Sequence, residues 1–443
     1  MGPEWIAIIA LVALFVAGTV LPINMGALAY VAAWFVGVFA LNMDEKEVLG
    51  GISADLVLTL IGVTYLFSIA KNNGTVDLIV AKAVQAVGGR VALIPWVMFA
   101  VTALLTAIGA ASPAACAIIG PVALGFARRY KINPLMMGMF VVHGAQGGGF
   151  SPISIYGTIT NSVMADVGYE GTEMGVFIAS LAINTAMAVV LFLALGGRQL
   201  MHERVDPAEA SGAAGRVVDD LHTGGTSVTV SGQGAGVSTV TRGLGVRRDH
   251  VLTLVAFAAV AVTALAFDQN IGFVSITAAV ALAMLSPHQH KDAVKQIAWP
   301  TVLLVAGVST YATILTAAGA PEYIGTWAAG LGIAAIGALV LCYVGGIVSA
   351  FASSTALLPV IIPIAVPLIA AGGVSPWAMA AALAVSSTIV DVSPFSTNGA
   401  LMLANRPDTI SEQAYYKQIL GYAVIVTLAG PLLVWGILVL PGW

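Results

Sequence analysis

The chain has 443 residues and a net charge of only −4; 59% of its residues are hydrophobic and 9% are charged. Soluble globular proteins have roughly 25% charged residues, so the mean hydropathy of +0.97 places this chain in a membrane. The small, dispersed charge excludes nucleic acid as a partner. Cys116 and Cys342 lie in apolar segments, where we expect them to pack as small hydrophobic side chains.

Apolar segments near the bilayer-spanning length of about 20 residues recur along the chain. The N-terminal segment lacks a basic region and a cleavage motif, so it is predicted to be a first transmembrane helix and not a cleaved signal peptide. The predicted spans are 5–22, 24–41, 56–71, 174–196, 251–267, 270–286, 301–317 and 416–440. Small and hydroxyl residues interrupt 91–128 and 331–371, and Ser-Pro breaks 134–165 and 376–404.

The interrupted regions repeat within the chain. Residues 112–157 show eleven identities at an offset of 242 positions, against about four or five expected by chance in so biased a composition. The matches include Ser112/Ser354, Ser151/Ser393, Ser154/Ser396 and Gly157/Gly399. Because irregular backbone in a bilayer needs partners from protein or a wet cavity, paired interruptions in two halves indicate a transporter site near the midplane.

The distribution of basic residues predicts the orientation. If 91–128 and 331–371 are re-entrant hairpins, each half crosses the membrane about five times, and the odd number makes the two repeats inverted. Sixteen of the 17 basic residues then lie on one face, with Lys46 opposite. The positive-inside rule makes that face cytoplasmic and puts both termini outside. Two full crossings per hairpin region would give the same parity, so that alternative stays open.

The predicted fold is therefore an all-α polytopic protein of the bacterial inner membrane, built from two inverted repeats. Residues 1–196 form the first repeat, with hairpin 91–128 and broken helix 134–165. A polar segment, 197–250, is a cytoplasmic linker. Residues 251–443 form the second repeat, with hairpin 331–371 and broken helix 376–404.

Four short segments are predicted to meet at one central site. The hairpin tips are Ala111-Ser112-Pro113 and Ser353-Ser354-Thr355, and the breaks are Ser151-Pro152-Ile153-Ser154 and Ser393-Pro394-Phe395-Ser396-Thr397-Asn398. Helix N-termini suit an anion, unpaired carbonyls suit a cation, and hydroxyl and amide groups can donate to a carboxylate. We expect substrate binding by Ser112, Ser154, Ser354, Thr355, Ser396, Thr397 and Asn398, and cation binding by Asp391, Ser112, Ser151, Ser353 and Ser393. Any single serine has the alternative of bonding its own backbone.

The charges near these segments indicate cation coupling. No lysine or arginine lies within the breaks, so a dianion there depends on helix dipoles, hydroxyls and a co-bound cation. Asp391, three residues before Pro394, is predicted to be a cation ligand or a proton-titrating group, with a structural carboxylate as the alternative. His143 is a proton relay or a packing histidine.

The sequence shows no metal-ligand spacing, phosphate-binding loop or nucleophile elbow in a suitable context. We therefore predict no enzymatic activity, no organic cofactor and no metal other than sodium as a coupling ion.

Several segments resemble one known family. PINMGALAYVAAW (22–34), LIPWVMF (93–99), PVALGFA (121–127) and MMGMFVVHGAQGGGFSPISIYGTITN (136–161) resemble the malonate/dicarboxylate carrier (MatC-type) family. The repeat plan is similar to that of the ion-transporter superfamily, including the divalent-anion:sodium symporters. That superfamily has Ser-Asn-Thr tips and Thr-Pro breaks; here the tips lack the asparagine, and the second break keeps Ser396-Thr397 but has Asn398 in place of the proline. These departures leave the coupling ion open. The resemblance implies dicarboxylate uptake, a homodimer joined by scaffold helices, and an elevator-like movement of the hairpin-containing domain.

These observations predict a secondary active transporter that imports a small dicarboxylate, malonate or a C4 acid, by symport with sodium or a proton. Its partners are the substrate, the lipid bilayer and a second copy of the chain. The alternatives are a sodium/proton antiporter that uses Asp391 as its carrier carboxylate, or a transporter of another anion on the same fold. An antiporter would move protons against sodium without an organic substrate.

Overall fold

The computed structural model describes residues 2–85, 87–203, 247–267, 269–287, 292–329, 334–351, 354–370, 372 and 374–442. The regular elements within these ranges are helices, which confirms the all-α class. Most of the predicted linker 197–250 lies outside the described residues, and so does Ser353.

The helices of the first half are α1 (Pro3–Val20), α2 (Met25–Phe35, extended by a π-helical turn Val36–Ala40), α3 (Glu45–Gly50), α4 (Ala54–Asn72), α5 (Thr75–Gln85), α6 (Leu93–Ala107), α7 (Ser112–Arg129), α8 (Pro134–Gly148), α9 (Ile155–Asp166), α10 (Glu173–Ala194) and α11 (Gly197–Leu200). Those of the second half are α12 (Arg248–Phe267), α13 (Ile271–Leu285), α14 (Trp299–Ala317), α15 (Ala320–Ala329), α16 (Ala334–Phe351), α17 (Ser354–Ala370), α18 (Pro376–Thr388), α19 (Thr397–Ala404) and α20 (Glu412–Leu438). A 3-10 turn, Ala293–Gln296, precedes α14.

Five helices among the described residues are long and apolar enough to cross a membrane, namely α1, α4, α10, α14 and α20. The apolar helices α2, α6, α13, α16 and α17 are shorter. The chain is thus a multi-pass membrane protein, in which shorter helices accompany the full-length ones.

Short polar side chains fix several of the helix starts. Asn24, Asn133 and Asn270 accept hydrogen bonds from backbone amides in the first turns of α2, α8 and α13. Capping matters here because hydrocarbon offers no water to the unpaired amides of a first helical turn.

Two crossings mediated by glycine join the halves. α2 packs against α14 at Gly26 and Gly307, and α4 packs against α13 at Gly62 and Gly272. A Cβ added at any of the four would collide with the backbone of the partner helix. Small residues at membrane helix interfaces permit such close backbone approach.

The two crossings have matching polar contacts as well. The Asn24 amide donates to the Pro300 carbonyl (3.1 Å), and the Asn270 amide donates to the Asp55 carboxylate. Asn24 and Asn270 are 246 positions apart, and Asp55 and Pro300 are 245 apart. We call the four helices α2, α4, α13 and α14 the scaffold group.

A second group of helices carries the predicted site residues. Within it α8 packs on α6, α7 and α10, while α18 packs on α16, α17 and α20. The two sets meet where α10 contacts α18, α9 contacts α17 and α7 contacts α19. The regions 91–128 and 331–371 each contain two helices of this group, α6–α7 and α16–α17, and the Ser-Pro breaks separate α8 from α9 and α18 from α19.

The glycine crossing gives a stability test. Gly307→Ala should lower the unfolding temperature of the purified protein, because the added methyl group pushes α14 away from α2; overpacking of this kind costs about 1–3 kcal/mol. Gly421→Ala is the matched control, because Gly421 lies inside α20 and a methyl group added there would meet open space. The control should be neutral or stabilising, since alanine is the better helix former. Equal effects of both changes would contradict the close contact.

Candidate binding site

The first helix break covers Gly149–Ser154, between α8 and α9. Ser154 caps α9, since its hydroxyl accepts from the Gly157 amide and shares its proton between the carbonyls of Gly149 and Ser151. The Ser151 hydroxyl donates to the Ala107 carbonyl at the end of α6 (2.7 Å). The break is thereby tied to the neighbouring hairpin region.

The second break, Ile389–Ser396 between α18 and α19, repeats this geometry. Ser396 caps α19, accepting from the Gly399 amide and donating to the carbonyls of Asp391 and Ser393. The Ser393 hydroxyl accepts from the amide of Phe395, two residues on, as Ser151 does from Ile153.

Glycine is required at the same place in each break. A Cβ at Gly157 would collide with the Ser151 carbonyl, and one at Gly399 would collide with the Ser393 carbonyl. The helix that follows each break therefore starts directly over the serine carbonyl of the Ser-Pro pair.

A central cavity of about 370 Å³ lies between the two halves. Its walls come from the tip before α7, the first break, and the starts of α7, α9, α14, α17 and α19. The lining residues are Ala110, Ala111, Ser112, Pro113, Ala114, Gly149, Ile155, Tyr156, Ala298, Pro300, Thr301, Leu304, Thr355 and Thr397. Its volume lies in the range of small-molecule sites, about 300–1,000 Å³.

Five helix N-termini converge on this cavity. The helices α7, α9, α14, α17 and α19 each contribute a lining residue from their first turn. Their unpaired amides and the positive ends of their dipoles favour an anion. Among the described residues that line the cavity none is charged, so the arrangement attracts a carboxylate through backbone dipoles and hydroxyls.

One contact beside the cavity joins the second break to the first tip. The Asn398 amide nitrogen donates to the Ser112 hydroxyl oxygen at 2.8 Å. Both side chains are buried, and the Asn398 amide oxygen has no hydrogen-bond partner among the described residues. The Ser112 hydroxyl, which accepts from Asn398, keeps its own proton available for a ligand in the cavity.

A second polar cluster surrounds the buried carboxyl group of Asp391. The Ser354 hydroxyl donates to its Oδ2 atom at 2.7 Å, and the Ser349 hydroxyl lies 2.8 Å from that of Ser354. Tyr156, in the first turn of α9, lines the neighbouring cavity.

The structure places some of the predicted residues at or behind the cavity wall, whereas the side chains of others bond to backbone groups. Ser112, Thr355 and Thr397 line the cavity, while Asn398, Ser354 and Asp391 are buried just behind its wall. Ser151, Ser154, Ser393 and Ser396 bond mainly to nearby backbone.

His143 lies apart from the cavity lining. Its Nδ1 atom is 2.8 Å from the Asn184 amide oxygen, so Nδ1 carries the proton, and its Nε2 atom accepts from the Tyr422 hydroxyl at 2.6 Å. The ring is fully buried between α8, α10 and α20. These contacts join three helices through one imidazole ring.

Sequence reasoning missed Tyr156, Thr301 and Ser349. A signal for Tyr156 was present, because it is the repeat counterpart of Asn398, 242 positions away. Thr301 and Ser349 lie in apolar helices, and only the packing of α14 and α16 brings them to the site.

Comparisons with known proteins identify the class. Residues 1–149 match the family described as "Dicarboxylate carrier protein MatC N-terminus", and residues 270–441 match the "Citrate transporter" family. Each match covers less than half of the chain, so over these residues the chain is similar to carriers of these two families. Both are transporter families and not enzyme families.

The fold of the transporter has a counterpart among solved structures. The YdaH transporter of Alcanivorax borkumensis superposes with a TM-score of 0.58 at 14% identity, over 89% of this chain and 88% of that one. At this identity the likeness concerns the fold alone. No curated protein matches the chain in sequence.

Removal of the Ser112 hydroxyl tests the cavity. Ser112→Ala should weaken the apparent affinity of the transporter for a labelled dicarboxylate by about 5- to 30-fold, since the variant loses a hydrogen bond to a charged ligand. Uptake is measured per amount of protein in the membrane. Ser112→Ala combined with Asn398→Ala should cost less than the sum of the single changes, because the two side chains share one contact.

Thr277→Ala is the control for this series, because the Thr277 hydroxyl is exposed and bonds only to its own helix (2.7 Å to the Phe273 carbonyl). Wild-type affinity in Ser112→Ala would remove the first hairpin tip from the substrate site.

Proposed function

We propose that the transporter imports a small dicarboxylate, malonate or a C4 acid, by cation-coupled symport across the bacterial inner membrane. The observation that carries this proposal is the convergence of five helix N-termini on an uncharged cavity with one buried carboxyl group behind its wall. Helix N-termini and hydroxyls bind the carboxylates of the substrate, while the cation compensates charge that no basic side chain of the described lining supplies.

The matched contacts support two inverted repeats as the architecture. The capping serines recur at an offset of 242, and the glycine crossings recur at 245 or 246. In this arrangement 1–196 and 251–443 are the repeats, both termini are extracytoplasmic, and the linker 197–250 is cytoplasmic. The scaffold group forms the dimer contact, and the second helix group moves like an elevator.

A second cavity adjoins the central cavity and supports the proposal of a route by which an anion reaches it. It has a volume of about 510 Å³ and shares Ala111, Ala114 and Ala298 with the central cavity. Its lining also includes Lys71, which is exposed and belongs to the predicted cytoplasmic face. An ammonium group there raises the local concentration of anions.

A sodium/proton antiporter is the second candidate, because a buried carboxyl group beside a cavity also suits exchange of two cations. Proteoliposomes distinguish the two candidates. The antiporter dissipates a pH gradient when sodium is added without any organic acid, whereas the symporter accumulates labelled dicarboxylate.

The symport proposal predicts gradient-driven uptake. Labelled malonate or succinate should accumulate in proteoliposomes under an inward gradient of sodium or protons, because the cation neutralises part of the charge of the dianion in the site. Uptake that does not depend on the sodium or the proton gradient, and that requires an internal dicarboxylate for exchange, would contradict symport.

Asp391 should carry the response to the cation. Asp391→Asn keeps the shape of the side chain but removes its charge and titration, so uptake should lose most of its dependence on the cation gradient while the protein still folds and inserts. The readout is the ratio of uptake with and without the gradient, normalised to inserted protein. A variant with wild-type dependence on sodium and on pH would make Asp391 a structural carboxylate.

A further inference from the structure

The second cavity, of about 510 Å³, differs in charge from the central cavity that it adjoins. Lys71 is the one charged residue among the described residues that line it, whereas the described lining of the central cavity has none. The other polar residues of its lining are Thr64, Ser68, Asn72 and Gln296. An anion is therefore attracted more strongly to the second cavity than to a neutral pocket of the same size.

The buried part of this cavity has no hydroxyl proton to offer to a ligand. The Thr64 hydroxyl donates to the Leu60 carbonyl, and the Ser68 hydroxyl donates to the Thr64 carbonyl, each at 2.7 Å. Both side chains are buried in α4. An anion in this cavity must therefore be bound by other groups.

Three exposed side chains at the mouth of the cavity supply the donors. Lys71 and Asn72 lie in the last turn of α4, and Gln296 ends the 3-10 turn before α14. Within the described parts of the chain, none of these three side chains has a hydrogen-bond or ion-pair partner. An ammonium group and two amide groups form a donor set that suits a carboxylate, which accepts about four hydrogen bonds.

The two cavities meet at three small residues. Ala111, Ala114 and Ala298 line both cavities, and all three are half-buried. Their methyl side chains leave more room between the cavities than any larger side chain would. A substrate that leaves the central cavity on this side therefore meets the donors of Lys71, Asn72 and Gln296 next.

We propose that the second cavity is a carboxylate-binding site on the path by which the substrate is released, in which Lys71 binds a carboxylate directly and Asn72 and Gln296 donate to it. This inference rests on the proposed dicarboxylate transport and on the cytoplasmic position proposed for Lys71. Because the ammonium group is exposed to water, the site is weak and its affinity falls as salt screens the charge. A weak site suits release, since the substrate can leave it quickly.

The first experiment counts the ligands that bind to the purified transporter in a neutral detergent, by equilibrium dialysis with labelled succinate. The wild type should bind two succinate molecules per chain at saturation. Lys71→Gln should bind one, with the affinity of that one unchanged, whereas Ser112→Ala should weaken the other. Raising the ionic strength from about 0.01 M to about 0.15 M should weaken mainly the binding that depends on Lys71, because the Debye length falls from about 30 Å to about 8 Å.

Lys82→Gln is the matched control, because Lys82 is an exposed lysine of α5 that contacts Gln85 (3.5 Å) and lines neither cavity. This variant should bind two succinate molecules, as the wild type does. One succinate per chain in the wild type, weakened by Ser112→Ala and unaffected by Lys71→Gln, would overturn the second site and leave the proposed function intact. Absence of binding for every di- and tricarboxylate tested would instead refute the proposed function.

The phosphate group of an anionic lipid offers the same charge and the same kind of acceptor as a carboxylate. Phosphatidylglycerol added to the dialysis should therefore be tested as a competitor, and we expect it to leave both succinate molecules bound. Displacement of the succinate that depends on Lys71 would make the cavity a site for lipid headgroups and overturn the proposal.

The second experiment compares the two faces of the membrane. Inverted membrane vesicles present the cytoplasmic face to added substrate, and whole cells present the opposite face. Lys71→Gln should raise the KM for labelled succinate about 10-fold in inverted vesicles, since a donor to a charged ligand is lost, and should leave the KM in whole cells unchanged. Lys82→Gln should change neither value. A change of equal size in both preparations, a change confined to whole cells, or no change would overturn the role given to Lys71.

Discussion

The structure depends on the need to satisfy unpaired backbone groups inside a bilayer. A broken helix exposes amides and carbonyls that hydrocarbon cannot bond, and each such group costs several kcal/mol. Here Ser154 and Ser396 cap the helices after the breaks and also bond the carbonyls just before them. The first turns of the helices that follow the breaks line the central cavity, so the serine that stabilises each break also places a helix N-terminus at that cavity.

The two halves contain helix breaks of the same backbone geometry, but the side chains at corresponding positions differ. Gly149 and Asp391 occupy corresponding positions, as do Tyr156 and Asn398. Equivalent glycines and capping serines give the two breaks the same geometry. The differing residues place an amide and hydroxyl pair, Asn398 and Ser112, on one side and the carboxyl group of Asp391 on the other. In the proposed symport, this asymmetry would separate the recognition of substrate from the handling of the cation.

Much of this arrangement could be predicted from the sequence, because helix-breaking residues and an internal repeat mark the positions of the breaks. The Ser-Pro pairs and the offset of 242 located both breaks, and they singled out Ser112, Asp391 and Asn398. The role of each serine could not be predicted, since a hydroxyl that caps a helix and one that faces a ligand look the same in sequence. Tyr156 was missed although it is the repeat counterpart of Asn398, because only tertiary packing shows that it lines the cavity.

The central claim is that a carboxylate binds where the five helix N-termini converge. A structure of the transporter determined with a bound dicarboxylate tests it most directly. We predict density in the central cavity, with carboxylate oxygens within hydrogen-bond distance of Ser112, Thr355 or Tyr156 and of first-turn backbone amides. Density confined to another cavity, such as the one lined by Glu4 and Glu322, with the central cavity empty under saturating substrate, would contradict it.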